Sequence, residues 1–339
     1  MIQTDLYVLL PIIVVIAWAL ALLLVDLWIP TQRKGITAML AAFGLAVALG
    51  LSLAQSGDPL AGFGGMVILD PFARFLNVII LGSGLAAIAL AYDYLKRLGL
   101  ERGEYYVLLL LSVSGMMLMA QAHDLIIVFL ALELLSIPLY VLAGFARPRL
   151  ESEEAALKYF LLGAFASGFV LYGVALIFGA TGSTNFETIF NSMGTANPAM
   201  LLIGAGLLLV GFGFKVAAVP FHMWAPDVYQ GAPSPVSGFM SVGVKAAGLA
   251  ALLRVFIVAL PGVAADLTPL LYGLAILTMV VGNLLAVAQS NIKRLLAYSS
   301  IANAGYLLMA FVPYGNQAMI AESNAAMLFF LVAYALGSL

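Results

Sequence analysis

The sequence contains no cysteine among its 339 residues, which excludes thiolate-held iron–sulfur clusters, cysteine-ligated structural zinc and disulfide frameworks. Charge is nearly as scarce: Asp, Glu, Lys and Arg make up 9% of the chain, against roughly a quarter in a soluble domain. A formal net charge of −2 leaves no basic surface for nucleic acid, and no charge run forms an acidic or basic tail. GFGGM at residues 62–66 lacks the strand-and-helix setting of a phosphate loop, so its glycines read as turn glycines. Without a nicotinamide, flavin or quinone motif, the chain alone carries no oxidoreductase activity.

Apolar residues are what the chain has, at 64% of the total. The segment Met1-Ile2-Gln3-Thr4-Asp5 leads directly into a long apolar run without a basic region or a small-residue cleavage site, and reads as a retained first span. A crossing needs about 20 apolar residues. Spans are therefore expected at 6–28, 36–54, 72–92, 104–121, 124–145, 152–179, 200–230, 233–260, 268–288, 291–312 and 318–339, an all-α polytopic membrane protein of eleven spans.

The loops divide by charge. Arg33, Lys34, Lys96, Arg97, Arg102, Arg147, Arg149, Lys293 and Arg294 all flank loops on one side, and the alternate loops hold no Lys or Arg. Basic loops stay cytoplasmic, so the N-terminus is expected outside. Of the fourteen basic residues, Arg74, Lys158, Lys215, Lys245 and Arg254 remain within spans. Arg74 and Arg254 lie near span ends and read as snorkelling to the interface. Lys158 could snorkel, pair with Glu154 one turn away, or act in proton transfer. Lys215, Lys245 and Glu133 are too deep to snorkel. An ionisable group at that depth costs about 3 kcal/mol on insertion scales, so these three read either as functional groups or as a buried structural ion pair.

Residues 200–230 are too long for one straight span, and Pro220 explains the excess. Proline removes a helical hydrogen bond and clashes with the preceding turn, so a break is expected after Val219. Irregular backbone at membrane depth is tolerated where it is buried in protein or lines a wet cavity, which suits proton exchange at Lys215. His222 follows the break, either as a relay or as a plain hydrogen-bonding group. Pro138 after Glu133 reads as a kink or as a similar loosening. Residues 122–145 also lie without gaps over 288–311, agreeing at seven of 24 positions, Tyr140 with Tyr306 and Phe145 with Phe311 among them. The two segments run in opposite directions, the pattern of an inverted repeat.

Residues 211–256, GFGFKVAAVPFHMWAPDVYQGAPSPVSGFMSVGVKAAGLAALLRVF, resemble the signature of the antiporter-like subunits of respiratory complex I, and the spelling HMWAPDVYQGAPSPV is closest to the subunit N branch. ALKYFLLGAFASGFVLYG at 156–173 and NIKRLLAYSSIANAGYLL at 291–308 extend the resemblance over essentially the whole chain. It implies a fourteen-helix antiporter-like fold of two inverted five-helix repeats with a broken seventh helix. On that fold, 1–100 is an N-terminal three-helix segment, 101–260 the first repeat and 261–339 an incomplete second repeat. The proton-transfer residues carried over are Glu133, Lys215 and Lys245, with Lys158 matching a sixth-helix lysine of subunit N. Gln230 stands where the family commonly has glutamate. The family's twelfth-helix lysine is expected beyond Leu339, so the chain looks truncated.

The function implied is that of a non-redox, proton-translocating subunit of NADH:quinone oxidoreductase in a bacterial inner membrane. NADH, FMN, iron–sulfur clusters and quinone would sit on partner subunits, with other membrane subunits of the complex as neighbours. A Glu133–Lys215 pair that closes to hold a proton and opens to release it toward Lys245 is the expected switch. Three alternatives stand beside it: a subunit of a photosynthetic-type or hydrogenase-linked complex, a stand-alone cation/proton antiporter, and a structural membrane scaffold with static buried charges.

Overall fold

The structure is a computed structural model that describes residues 2–314 and 316–338. Helices α1 (Ile2–Val25), α2 (Gly35–Ala54), α3 (Pro71–Arg97), α4 (Gly103–Gln121), α5 (Leu125–Ala143) and α6 (Leu150–Thr181) are the first six spans. A short α7 (Phe186–Ser192) precedes α8 (Pro198–Val216) and α9 (Trp224–Gly231), the two halves of the seventh span. The eighth span is continuous from Ser234 to Ala259. It consists of α10 (Ser234–Phe239), a π-helical stretch Met240–Val244, α11 (Lys245–Leu252) and a second π-helical stretch Leu253–Ala259. Then come α12 (Ala264–Val287), α13 (Ile292–Leu308) and α14 (Gln317–Ser338). Among the described residues, ten helices are long and apolar enough to cross a membrane. The 17-residue α13 occupies the expected segment 291–312 but falls short of that length, so ten of the eleven expected spans meet it.

Helix starts follow local chemistry. Asp70 caps α3 by accepting from Ala73 N, with Pro71 in the first turn. Asn197 caps α8 in the same way ahead of Pro198, and Asp124 and Asn291 cap α5 and α13. These short polar side chains satisfy N–H groups that have no partner inside the helix. Sequence reading missed α7 and a small hairpin of β1 (Leu60–Gly62) and β2 (Val67–Leu69), both within apparently plain loops. The turn of that hairpin uses Gly64 and Gly65 at φ 64° and 86°, which bears out the reading of GFGGM as turn glycines. The hairpin is tied down by His123 N donating to Met66 O at 2.9 Å and Asn185 Nδ2 donating to Gly65 O at 3.1 Å.

Glycine sets two close helix crossings. A Cβ at Gly115 on α4 would lie 2.4 Å from Leu135 N on α5, and one at Gly282 on α12 would lie 2.7 Å from Ala302 N on α13. The sequence separation is the same in both pairs, although α4 starts at the face with the basic loops and α12 ends there. This backbone contact pairs Leu135 with Ala302, one residue from the gapless alignment of 122–145 with 288–311.

The break also differs from expectation. Helix α8 ends at Val216, not after Val219, and Ala217 is left-handed at φ 59°. Pro220 clashes with the carbonyl four residues back, which is that of Val216, so the helix stops at the clash itself. The freed groups are met locally: Ala218 N donates to Gly213 O at 2.8 Å, Trp224 Nε1 to Phe214 O at 2.9 Å, and Val219 N to Thr278 Oγ1 on α12 at 3.0 Å. Pro138, by contrast, lies inside an uninterrupted α5.

Candidate functional site

Lys215 occupies the last turn of α8 and is 3% exposed. Its Nζ donates to Ser136 Oγ at 2.7 Å and to Tyr159 OH at 3.2 Å, and lies 5.4 Å from the centre of the Tyr159 ring. Tyr159 is held from behind by Trp224, stacked at 4.7 Å, so residues on both sides of the break shape the lysine's seat. Ser136 Oγ in turn donates its hydrogen bond to Leu132 O.

The expected Glu133–Lys215 ion pair is not made. Glu133 Oε1 accepts from Ser167 Oγ on α6 at 2.5 Å, and Ser136, one turn further along α5, takes the ammonium instead. Side chains three apart on a helix share a face, so the carboxylate and the hydroxyl both look toward α6 and α8. A gap of about 10 Å³ lies among Ser136, Ser167 and Lys215, roughly the room one water needs.

Lys245 is 2% exposed and begins α11, directly after the first π-helical stretch. Its Nζ donates to Ser300 O and, at 2.5 Å, to Ser300 Oγ, and it lies 5.1 Å from the centre of the Tyr334 ring. Ser300 Oγ and Tyr334 OH are 2.7 Å apart. Beside them a cavity of about 500 Å³ runs past Ser241, Ser299, Ser300 and Tyr334 to Lys293. No carboxylate lines it among the described residues. The stem of Lys215 reaches this helix: a Cβ at Gly248, one turn beyond Lys245, would lie 2.8 Å from Val216 Cγ1 and 3.7 Å from Lys215 Cγ.

Among the described residues neither buried lysine has a carboxylate partner, and this decides what the site can do. A hydroxyl both donates and accepts, so it satisfies an ammonium and, after rotation, a neutral amine. A carboxylate would favour the charged form alone. Two lysines that can be satisfied in either state are suited to taking up and releasing protons.

Lys158 is separate from this pair. It bridges Glu154 and Asp227, each at 2.6 Å, and its side chain is 40% exposed. The Glu154 contact matches the expected i,i+4 pair. The Asp227 contact was not visible in the sequence. Arg294 Nη1 holds the other Asp227 oxygen at 2.5 Å and Gln230 Oε1 at 3.1 Å, while Lys293 donates to the carbonyls of Gln230 and Ala232 at 2.9 and 2.6 Å. The second half of the broken span is thus anchored to α6 and α13 at the basic-loop face. His222 lies in the break with a buried, unpartnered Nδ1, its ring centre 6.5 Å from that of Tyr298.

Arg254 corrects a further expectation. It does not snorkel: it is 4% exposed and grips both Asp70 oxygens, at 2.8 and 3.1 Å, and Ala120 O at 2.7 Å. A partner distant in sequence allows a cation to stay buried, which position within a span cannot reveal. Arg74 does reach the loop, donating to Gly57 O at 2.6 Å.

Residues 122–339 match the family model described as NADH:quinone oxidoreductase/Mrp antiporter, TM. NADH-quinone oxidoreductase subunit N of Chloroflexus aggregans is 52% identical over 341 residues, covering 99% of this chain and 69% of the relative. The chain belongs to the NADH-quinone oxidoreductase subunit N family. Its fold superposes on a chain of respiratory complex I from Thermus thermophilus with bound aureothin at TM-score 0.81 and 40% identity, over 97% of this chain and 68% of that one. A chain of the Mrp complex from Dietzia sp. gives TM-score 0.81 at 26% identity, over 97% and 36%. Subunit N relatives are thus about half as long again as this chain. The family places the hydroxyl-held lysines in a polytopic, antiporter-like membrane fold.

Proposed function

We propose that this chain is a proton-translocating, non-redox subunit of the membrane part of an NADH:quinone oxidoreductase, and that Lys215 and Lys245 carry the proton. The observation behind this is that among the described residues each lysine is buried with no carboxylate partner, Lys215 held by the Ser136 and Tyr159 hydroxyls at the end of a broken helix and Lys245 by the hydroxyl and carbonyl of Ser300 beside a hydroxyl-lined cavity. The cavity opens toward Lys293 and the basic loops. With those loops cytoplasmic and the N-terminus outside, it is the inner access to Lys245. Glu133 acts on Lys215 through Ser136 and a bridging water, and the Lys158–Asp227–Arg294 bridge holds the broken span in place. His222, inside the break, is a further relay residue. The division at residues 101–260 and 261–339 follows the two glycine crossings.

NADH, FMN, iron–sulfur clusters and quinone belong to partner subunits, and the setting is a bacterial inner membrane. Moving one proton against 100 mV needs about 2.3 kcal/mol, within the range that rearranging a buried charge can supply. The Mrp likeness favours a second reading, a cation/proton antiporter using the same lysines. Lys215→Ala in the complete protein, assembled in its complex, is expected to abolish proton pumping coupled to quinone reduction while the complex still assembles. Pumping at the wild-type rate would overturn the role of Lys215, and sodium-dependent transport without quinone reduction would favour the antiporter.

A further inference from the structure

Lys293 is half-buried in the first turn of α13 and lines the cavity beside Lys245 at the end nearer the basic loops. Its ammonium donates to Gln230 O at 2.9 Å and Ala232 O at 2.6 Å, carbonyls at the end of α9, where a cation complements the helix dipole. Along α13, Leu296 and Ser300 follow Lys293 three and seven positions on, so the three share a face, and all three line the cavity. Ser300 is the residue that holds Lys245, and it lies about 10 Å along the helix from Lys293. A cavity of about 500 Å³ has room for a chain of waters over that distance.

The segment that Lys293 grips is a partition. Tyr229 and Ser234, flanking it in the chain, line the cavity. Gln230 and Gly231 also line a separate opening of about 210 Å³, together with Glu151 and Glu154, which are exposed in the first turns of α6. The fit against α6 is tight, since a Cβ at Gly231 would run into Glu151 O. A short stretch of backbone, Gln230 to Ala232, therefore separates an acid-lined vestibule from the cavity, and Lys293 holds it in place. A carbonyl accepts and cannot donate, so this seat binds an ammonium by two bonds and offers nothing to the lone pair of an amine. Lys293 thus keeps its proton while the clamp is closed, in contrast to Lys215 in its hydroxyl seat.

We propose that Lys293 is the proton-loading residue for Lys245: while charged it clamps the Gln230–Ala232 partition, and when the clamp opens it delivers its proton to the cavity. The assignment rests on the proton-translocation reading above and deepens it. Lys293 gives one proton to cavity water, the waters pass one along to the Lys245 amine beside Ser300, and the Lys293 amine takes one back from water in the vestibule. Over the cycle Lys245 gains one proton, the vestibule loses one, and Lys293 ends as it began. The charged groups around Lys293 are Arg149, its neighbour Arg294 and Asp227, with Glu151 and Glu154 beyond the partition. Among the described residues no carboxylate pairs with Lys293, because Asp227 is taken up by Lys158 and Arg294. Its charge is therefore held by the two carbonyls, and opening the partition removes that hold.

The test uses the complete protein in its intact complex, reconstituted in vesicles, with pumping expressed per assembled complex. Lys293→Arg keeps the charge and the donors for both carbonyls but does not give up a proton, and is expected to lower pumping about tenfold or more. A residue that only clamps would tolerate arginine. Wild-type pumping in Lys293→Arg, with Lys215→Ala inactive, would overturn the loading role and leave the reading of the two buried lysines standing. Wild-type pumping in Lys215→Ala would overturn that reading itself. Lys293→His supplies a second readout that does not depend on arginine fitting the seat. Imidazole loses its charge near pH 6.5, about four pH units below a lysine in water, so loading through histidine fails at a lower pH. Pumping by Lys293→His is expected to exceed that of Lys293→Arg about threefold or more at pH 6, and to fall about threefold further than wild type between pH 6 and pH 8. A histidine variant no more active than Lys293→Arg at pH 6, or one that follows the wild-type pH profile, would overturn the proposal.

Discussion

Lys215 and Lys245 have the same partners by type and opposite surroundings. Each ammonium is held by a serine and stands over a tyrosine ring. Around Lys215 the packing leaves a gap of about 10 Å³, whereas beside Lys245 there is a cavity of about 500 Å³. Lys215 is enclosed by protein groups, whereas the Ser300 and Tyr334 that Lys245 faces also line the cavity. On the proposed function, the hydroxyl partners let either lysine change charge, and the packing sets Lys245 as the one nearer a solvent-accessible cavity.

The sharpest way to break this comparison is to enlarge both side chains. Lys215→Arg overpacks a closed seat and is expected to destabilise by about 1–3 kcal/mol, lowering the yield of assembled complex, while Lys245→Arg should assemble normally. Neither should pump, because a guanidinium keeps its proton. Equal assembly of the two, measured by native gel and quinone reductase yield, would show that the closed and open descriptions are wrong.

Removing the hydroxyls should have a smaller, graded effect. Ser136→Ala takes away the closest acceptor of a charged donor, a loss of about 1.5–3 kcal/mol, and proton transfer should slow roughly tenfold or more. Ser300→Ala leaves the Ser300 carbonyl and the cavity's water, so a two- to threefold slowing is expected. Pumping rates in vesicles that fall equally, or fall further in Ser300→Ala, would reverse the ranking.

The smallest change is expected at Asp227→Asn. Its carboxylate bridges Lys158 and Arg294, but all three are partly exposed, and such pairs contribute about 0–1 kcal/mol. Assembly should be unchanged and pumping reduced less than twofold. A loss as large as that of Ser136→Ala would move Asp227 from an anchoring role into the proton route.

Much of this arrangement was legible in the chain. Hydropathy marked each of the ten helices long enough to cross a membrane among the described residues, and the depth of Lys215 and Lys245 set them apart from the cations of the loops. What escaped has a common cause. Ser136, Ser300, Tyr159 and Tyr334 are ordinary residues in apolar helices, and only three-dimensional proximity separates them from other serines and tyrosines. Arg254 was misjudged for the same reason, since Asp70 lies five spans earlier. The two close crossings, Gly115 against Leu135 and Gly282 against Ala302, are likewise set by residues whose partners are distant in sequence. The place of the break was implicit in Pro220 once its carbonyl clash is counted back to Val216.

One hydrogen bond at that break reaches beyond the lysines. Val219 N is moored to Thr278, whose hydroxyl also donates to Leu274 O within α12. The joint between the two half-helices is therefore stiffened by a neighbour as well as by its own local hydrogen bonds. A tilt of α12 pulls on the broken seventh span through this threonine, like a tie rod on a hinge, and so one link between the two parts of the molecule depends on a residue outside the motif by which the family is recognised.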